Sequence, residues 1–523
     1  MSDNNETPNQ PTPPNQPTPP QRPANTAGKQ PKLPSSYYNA ISLIGAAMAG
    51  LSLALILFLF ALERFGNRES SPYVGIIAFV ILPVFLIIGL ALGAIGALRQ
   101  QRRRKMGLGH TERLPRIDLN DPTHLRGTFL VGGGFIVFLA LSAFGSYQAY
   151  EYTESDKFCG TTCHTVMKPE YTAFNNSPHQ RVGCVKCHIG AGAEWYVRSK
   201  LSGAYQVYSV MFNKYSKPIE TPIRNLRPSR DTCEQCHWPE HFTGQKMKTF
   251  DYYGREEGNT HWSLKLLMKI GSGGGTGEPA HGIHWHTVNT VNYVAADERR
   301  LEIPWVKFTG KDGREKIYRS TEAEMTDADA ATKEQRLMDC IDCHNRPTHH
   351  YLPPSRLINR DIANGLIAQD LPGVKSLLVG LMEATYKTED EALTAIEVGT
   401  HKFYDEQHPE VAQARVGEIE MAIVRAQTLF KTNIFPEMGV SWRGFPDHIG
   451  HLTTPGCFRC HDGKHQTEDG EVLPRNCDLC HTIVSQVRKT GEEVVSLESV
   501  EYVHPEDIGD EWKTTNCNEC HGQ

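Results

Sequence analysis

The chain has 523 residues with 54 Lys and Arg against 60 Asp and Glu, a net charge of −6, so several domains are expected and a nucleic-acid surface is not. Fourteen cysteines are many for ordinary packing, and a mean hydropathy of −0.42 hides a segregation: nearly all long apolar runs precede residue 150.

Residues 1–36 form a polar, proline-rich tail with the repeat NQPTPP, a composition that buries no core and is expected to stay disordered. Three uncharged apolar runs follow, Ile41–Leu62, Tyr73–Leu98 and Thr128–Ala149, each long enough to cross a bilayer as a helix. Residues 37–150 are therefore read as three transmembrane helices, the first too long to be a signal peptide. The loop 99–127 carries RQQRRRK, whereas Arg64 and Arg68 in the first loop are offset by Glu63 and Glu69. By the positive-inside rule the tail and the basic loop are cytoplasmic, and everything after about residue 150 lies on the other side. None of the three runs contains His or a charged side chain, which argues against metal ligation or a proton relay within the bilayer. Gly89 and Gly93 form one G-x-x-x-G, a spacing that lets helices approach closely.

Just beyond the third run stands FCGTTCHTVMKPE, with Cys159 and Cys163 three residues apart and His164 next. C-x-x-C-H then recurs six times: Cys184, Cys187 and His188; Cys233, Cys236 and His237; Cys340, Cys343 and His344; Cys457, Cys460 and His461; Cys477, Cys480 and His481; Cys517, Cys520 and His521. Together the seven motifs use all 14 cysteines. Two thiols at this spacing reach the two vinyl groups of a haem, and the adjacent His lies beneath the iron. Zinc knuckles do not need a His after every second Cys, and a disulfide framework needs none. Seven covalently bound haem c groups are expected, all on the non-cytoplasmic side.

Four motifs lie between 159 and 344 and three between 457 and 521. The expected plan is a tetrahaem domain (151–352), a helical connector (353–440) and a C-terminal trihaem domain (441–523). The fold class is mainly α with much irregular structure and a small β insert, about 245–330. That insert holds the glycine-rich IGSGGGTGEPAHG, read as a loop, and a hairpin turning near Lys311–Gly313. In the connector, Thr388–Glu391 reads as a capping box and a second helix spans Val411–Lys431. Fourteen histidines beyond the motifs, His401 and His408 among them, suffice to give each haem a distal ligand, which favours six-coordinate electron-transfer haems. From residue 150 onward 53 acidic residues face 41 basic ones, a net of −12 that would steer in a basic electron acceptor.

The stretch FCGTTCHTVMKPEYTAFNNSPHQRVGCVKCHIG resembles the NapC/NirT family of membrane-anchored quinol dehydrogenases, over about 150–350. The three-span, seven-haem plan is similar to the larger inner-membrane cytochromes (ImcH type) of metal-reducing bacteria, and the C-terminal NIFPEMGVSW and GCFRCHDGKH resemble modules of those relatives. The resemblance implies a first haem at the membrane surface ligated by Met167, with His164 displaced; ligation by the adjacent His164 is the alternative. It implies His179 as ligand of the fourth haem, His349 of the second, and Lys200 in the quinol pocket, although the carboxylate expected shortly after Lys200 is not evident. For the third haem the candidates are His281, His284 and His286, with His286 favoured; for the last three they are His448, His451, His465 and His504.

The function so implied is oxidation of membrane quinol, menaquinol first, with electrons passed to periplasmic or outer-membrane multihaem cytochromes in anaerobic or extracellular respiration. The expected partners are the bilayer with its quinol pool and those cytochromes, with no nucleic acid, and the expected location is the bacterial inner membrane. The alternatives are a passive relay subunit of a larger respiratory complex, and a terminal reductase.

Overall fold

A computed structural model describes residues 39–65, 81–107, 118–162, 164–223, 227–239, 242–271 and 281–522. The proline-rich tail, residues 73–80 of the expected second span, most of the glycine-rich loop and Cys163 lie outside the described residues. The chain divides into two units, 1–134 and 135–523.

The first unit contains helices α1 (Ala40–Phe65) and α2 (Leu82–Lys105), packed against each other. Small residues set how closely they pack. A Cβ on Gly45 would stand 2.5 Å from the Gly89 carbonyl oxygen, and one on Gly96 would stand 2.5 Å from Ser42 Oγ. The Ser42 hydroxyl donates to the Gly93 carbonyl at 3.0 Å, so the G-x-x-x-G spacing faces a partner helix. Leu57, Ile87 and Leu90 stay 59–64% exposed on the outer faces, as lipid-facing residues would. The α2 C-terminus ends in Arg102–Lys105, cations at the negative end of the helix dipole.

Among the described residues two helices, and not the expected three, meet the length and hydropathy of a membrane span, over Ala40–Phe58 and Leu82–Lys105. The third expected run lies within α3 (Pro122–Thr153), a continuous 32-residue helix that includes Gly132–Gly134.

Beyond α3 the chain makes a π turn over Phe158–Thr162, which holds Cys159. A π turn takes in one residue more than an α turn, and the opening motif has one residue more than its six repeats. Helix α4 (His164–Asn175) follows, with Pro169 inside it, and then α5 (Ala193–Met211).

The β structure is larger than the expected small insert. Strands β1 (Gln245–Tyr253), β2 (His261–Lys269), β3 (Thr290–Val294), β4 (Trp305–Thr309), β5 (Glu315–Ser320) and β6 (Arg336–Leu337) are joined by β7 (His465–Gln466), β8 (His481–Val487) and β9 (Glu493–Val495). They form an antiparallel sheet β1-β2-β8-β9 and another, β6-β3-β4-β5-β7. The β4–β5 hairpin turns where the sequence indicated. Strands from residues 465–495 complete both sheets, so the segments expected as separate tetrahaem and trihaem domains share their β structure.

Residues 354–433 have an apolar core of their own. Helices α6 (Pro354–Ala363), α7 (Val374–Glu383), α8 (Glu389–Gln407), α9 (Pro409–Ala414) and α10 (Val416–Asn433) bury Leu357, Leu378, Met382, Ile396 and Phe430. Thr388 caps α8 by accepting from the Glu391 N–H at 3.2 Å, while Glu391 accepts from Lys387 N and not from Thr388. The expected helix Val411–Lys431 is broken at Arg415, which leaves helical angles (φ −126°, ψ 33°) and ties its guanidinium to Asp370 at 2.7 Å. Asn259, fully buried between β1 and β2, binds this bundle to the sheet by donating to the Leu371 and Gln369 carbonyls.

Phe430→Ala removes a fully buried ring from this core and should cost about 3–5 kcal/mol. Denaturant unfolding of the purified chain, followed by far-ultraviolet circular dichroism, checks this; a loss below about 1 kcal/mol would contradict the packing described.

Candidate haem sites

Each of the six C-x-x-C-H motifs places its histidine opposite one other imidazole. The ring centroids lie 6.1 Å apart for His188 and His349, 6.0 Å for His237 and His179, and 6.4 Å for His344 and His284. They lie 5.8 Å apart for His461 and His286, 6.3 Å for His481 and His451, and 6.2 Å for His521 and His504. Two imidazoles on opposite faces of one metal, each bonded at about 2 Å, put their ring centres roughly 6 Å apart. The residues present therefore fit haem with two histidine ligands, six times over.

The second ring nitrogen decides whether a histidine can serve. Nδ1 faces a backbone carbonyl in His179 (Pro347, 3.2 Å), His284 (Ile270, 3.1 Å), His286 (Ile283, 3.0 Å) and His349 (Glu170, 3.1 Å). The same holds for His461 (Pro474, 3.1 Å), whereas His504 Nδ1 meets both the Glu506 carbonyl at 2.9 Å and the Glu506 N–H at 3.1 Å. A proton on Nδ1 given to that carbonyl leaves Nε2 with its lone pair for a metal and fixes the ring plane. Burial pushes His349 and His451 down to about 4, so both rings stay neutral, the form that ligates iron.

His448 and His465 are different. His448 Nε2 faces the Arg299 carbonyl at 3.0 Å, and its Nδ1 meets the Asp342 carbonyl at 3.1 Å and Arg459 Nη1 at 3.2 Å. His465, 2% exposed, has Nδ1 on Asp462 Oδ1 at 2.9 Å and Nε2 on the Ile303 carbonyl at 2.7 Å. With both nitrogens engaged these two hold loops together, and neither faces a motif histidine. Three expectations change with them. His179 stands opposite the third motif and not the fourth; His284 takes the fourth; His286 stands opposite the fifth and not the third. His401 and His408 pair with Glu420 and Glu257.

The motifs also touch in chain order. The Cys184 N–H donates to Asp156 beside Cys159 at 2.7 Å, and Arg459 of the fifth motif donates to the Asp342 carbonyl of the fourth at 2.6 Å. The thiols of Cys233 and Cys340 and of Cys457 and Cys480 shift each other's pKa values as near neighbours. Burial chiefly, and then the nearby Cys236, Cys457 and Cys477, raise the pKa values of Cys187, Cys343 and Cys517. Each motif thus lies beside the next, from first to seventh.

At the first motif Met167 is half-buried on α4; Cys163 and the side chain of His164 are outside what the structure describes. Nearby, Lys200 on α5 ion-pairs with Glu154 and donates to Thr153 Oγ1 at 3.3 Å. Its ammonium lies 4.9 Å from the Tyr196 ring, which stacks on Tyr150 at 5.8 Å. The carboxylate beside Lys200 in the structure is Glu154, just past the end of α3 and five residues beyond the third apolar run. Burial first, then Glu154 and Tyr150, raise the Tyr196 hydroxyl to about 12.

Residues 122–221 match the model of the NapC/NirT cytochrome c family, N-terminal region. The chain is 43% identical to the cytochrome c-type protein ImcH of Geobacter sulfurreducens over 488 residues, 92% of this chain and 95% of that protein. It is 28% identical to the cytochrome c-type protein NrfH of Wolinella succinogenes over 120 residues, 21% of this chain and 67% of that one. No solved structure matches it.

His451→Ala should turn one low-spin haem of the purified protein high-spin, read by electron paramagnetic resonance, while His448→Ala leaves the ligation unchanged. A high-spin signal from His448→Ala with none from His451→Ala would reverse the assignment.

Proposed function

Because the chain belongs to the NapC/NirT family of cytochromes c, which carry covalently attached haem, we propose that it is a seven-haem inner-membrane quinol dehydrogenase. It takes electrons from membrane quinol, menaquinol foremost, and delivers them to periplasmic or outer-membrane multihaem cytochromes. The observation that carries this reading is the unbroken order of the motifs: it starts at the end of α3 beside Lys200 and Glu154 and runs to His521 near the C-terminus.

In this reading α1, α2 and α3 all cross the membrane, with the basic loop 99–127 cytoplasmic and residues after about 150 periplasmic. Bound haem supplies one-electron redox couples. The protein supplies everything else. Cys159 and Cys163 would hold the first haem, with Met167 and not His164 as its ligand. The pairs His188–His349, His237–His179, His344–His284, His461–His286, His481–His451 and His521–His504 ligate the other six. Lys200 donates a hydrogen bond to a quinol oxygen and steadies the charge that grows there as the hydroxyl proton leaves. Glu154, already bonded to the Lys200 ammonium, is placed to accept that proton and pass it to the periplasmic side. Oxidation of one quinol yields two electrons and two protons, the electrons leaving singly along the chain of sites. The net of −12 beyond residue 150 suits a basic acceptor.

In lipid nanodiscs a reduced menaquinone analogue should reduce the wild-type haems. Lys200→Ala and Glu154→Gln should slow this by about 10²-fold with unchanged low-spin spectra. Wild-type protein that stays oxidised would overturn the quinol dehydrogenase reading.

A further inference from the structure

Helix α5 carries an apolar stripe that faces away from the protein. Val197, Leu201, Tyr205, Tyr208 and Met211 follow one another at steps of three and four residues, so they share one face, and Phe212 adds to it just past the helix end. Their exposures run from 41% for Val197 to 69% for Leu201 and 74% for Met211. An isolated exposed leucine means little, but six large apolar side chains aligned over four turns mark a surface made to be covered.

Two observations say what covers it. One flank of the same helix packs on the end of α3: Tyr196 stacks on Tyr150, and Lys200 binds Thr153 and Glu154. The stripe thus begins where a membrane-crossing α3 leaves the bilayer. The charge also changes here. Residues 193–217 hold four Lys and Arg and one acidic residue, within a region whose net charge is −12. Arg198 lies over the Trp195 ring at 5.2 Å, and Lys214 lies over Tyr208 at 4.8 Å and donates to its hydroxyl at 2.7 Å. Cations beside tyrosine and tryptophan rings, next to an apolar face, match the headgroup layer of an anionic membrane.

We propose that α5 lies in the plane of the membrane interface, with the Val197–Phe212 stripe sunk into the boundary between headgroups and acyl chains of anionic phospholipid. This rests on the reading of α3 as a membrane span. It would hold Lys200 and Glu154 at the depth where the headgroup of a lipid-soluble quinol resides, with the stripe flanking its route from the bilayer.

The test is photo-crosslinking of the full haem-loaded chain in nanodiscs of phosphatidylethanolamine and phosphatidylglycerol. Tyr205→benzoylphenylalanine and Leu201→benzoylphenylalanine place the probe on the stripe, Gln206→benzoylphenylalanine on another exposed side of the helix, and Val137→benzoylphenylalanine on α3. Phospholipid adducts in the intact mass are expected at 205, 201 and 137 and absent at 206. Adducts at 137 with none at 205 and 201, or adducts there to a second copy of the chain, would overturn the interfacial placement and leave the membrane anchor standing. Loss at 137 as well would overturn both.

Discussion

An imidazole can give a metal only one of its two nitrogens, and a hydrogen bond on the other aims it. Much of the extramembrane structure serves that constraint. The carbonyls of Glu170, Ile270, Ile283 and Pro347 each lie at hydrogen-bond distance from Nδ1 of a histidine whose ring stands opposite a C-x-x-C-H imidazole. Where both nitrogens are engaged, as in His448 and His465, a histidine becomes structural support. The distinction is one of hydrogen bonding and not of residue type.

The same constraint explains the division of the fold. Haem motifs are short helical or 3₁₀ turns with little apolar surface of their own, such as Cys184–His188 and Cys477–Leu479. Ordinary protein core lies in the bundle 354–433, around the β3–β5 strands and in a third cluster of Val166, Ala173, Tyr351, Phe435 and Phe445. The sheets draw distant segments into register. Pairing of Ser320 with His465 in β5–β7 and of Met268 with His481 in β2–β8 brings the fifth and sixth motifs beside the insert that carries His284 and His286. Histidines of one segment thereby stand opposite motif histidines of another, and in the proposed reading this would link the haem groups.

What could be read from the sequence follows from the range of the signal. Motif spacing, apolar runs of helical length, the turn between β4 and β5 and the Thr388 cap are local, and the structure contains each of them. The pairing of His349 with the second motif was also legible, through family likeness. His179, His284 and His286 were assigned to other haems because their partners are set by tertiary contacts with no sequence period. The two-residue strand β7 has none either, so the union of the two haem segments was invisible. Glu154 is not legible from the residues around Lys200, because the helix exit supplies it from 46 residues upstream.

A cryo-electron microscopy map of the haem-loaded chain in lipid tests the central claim most directly. It should show six irons each held between the paired histidines named above, with seven haems stacked in the order of their motifs from the membrane outward. An iron ligated by His448 or His465, or a haem out of that order, would contradict it.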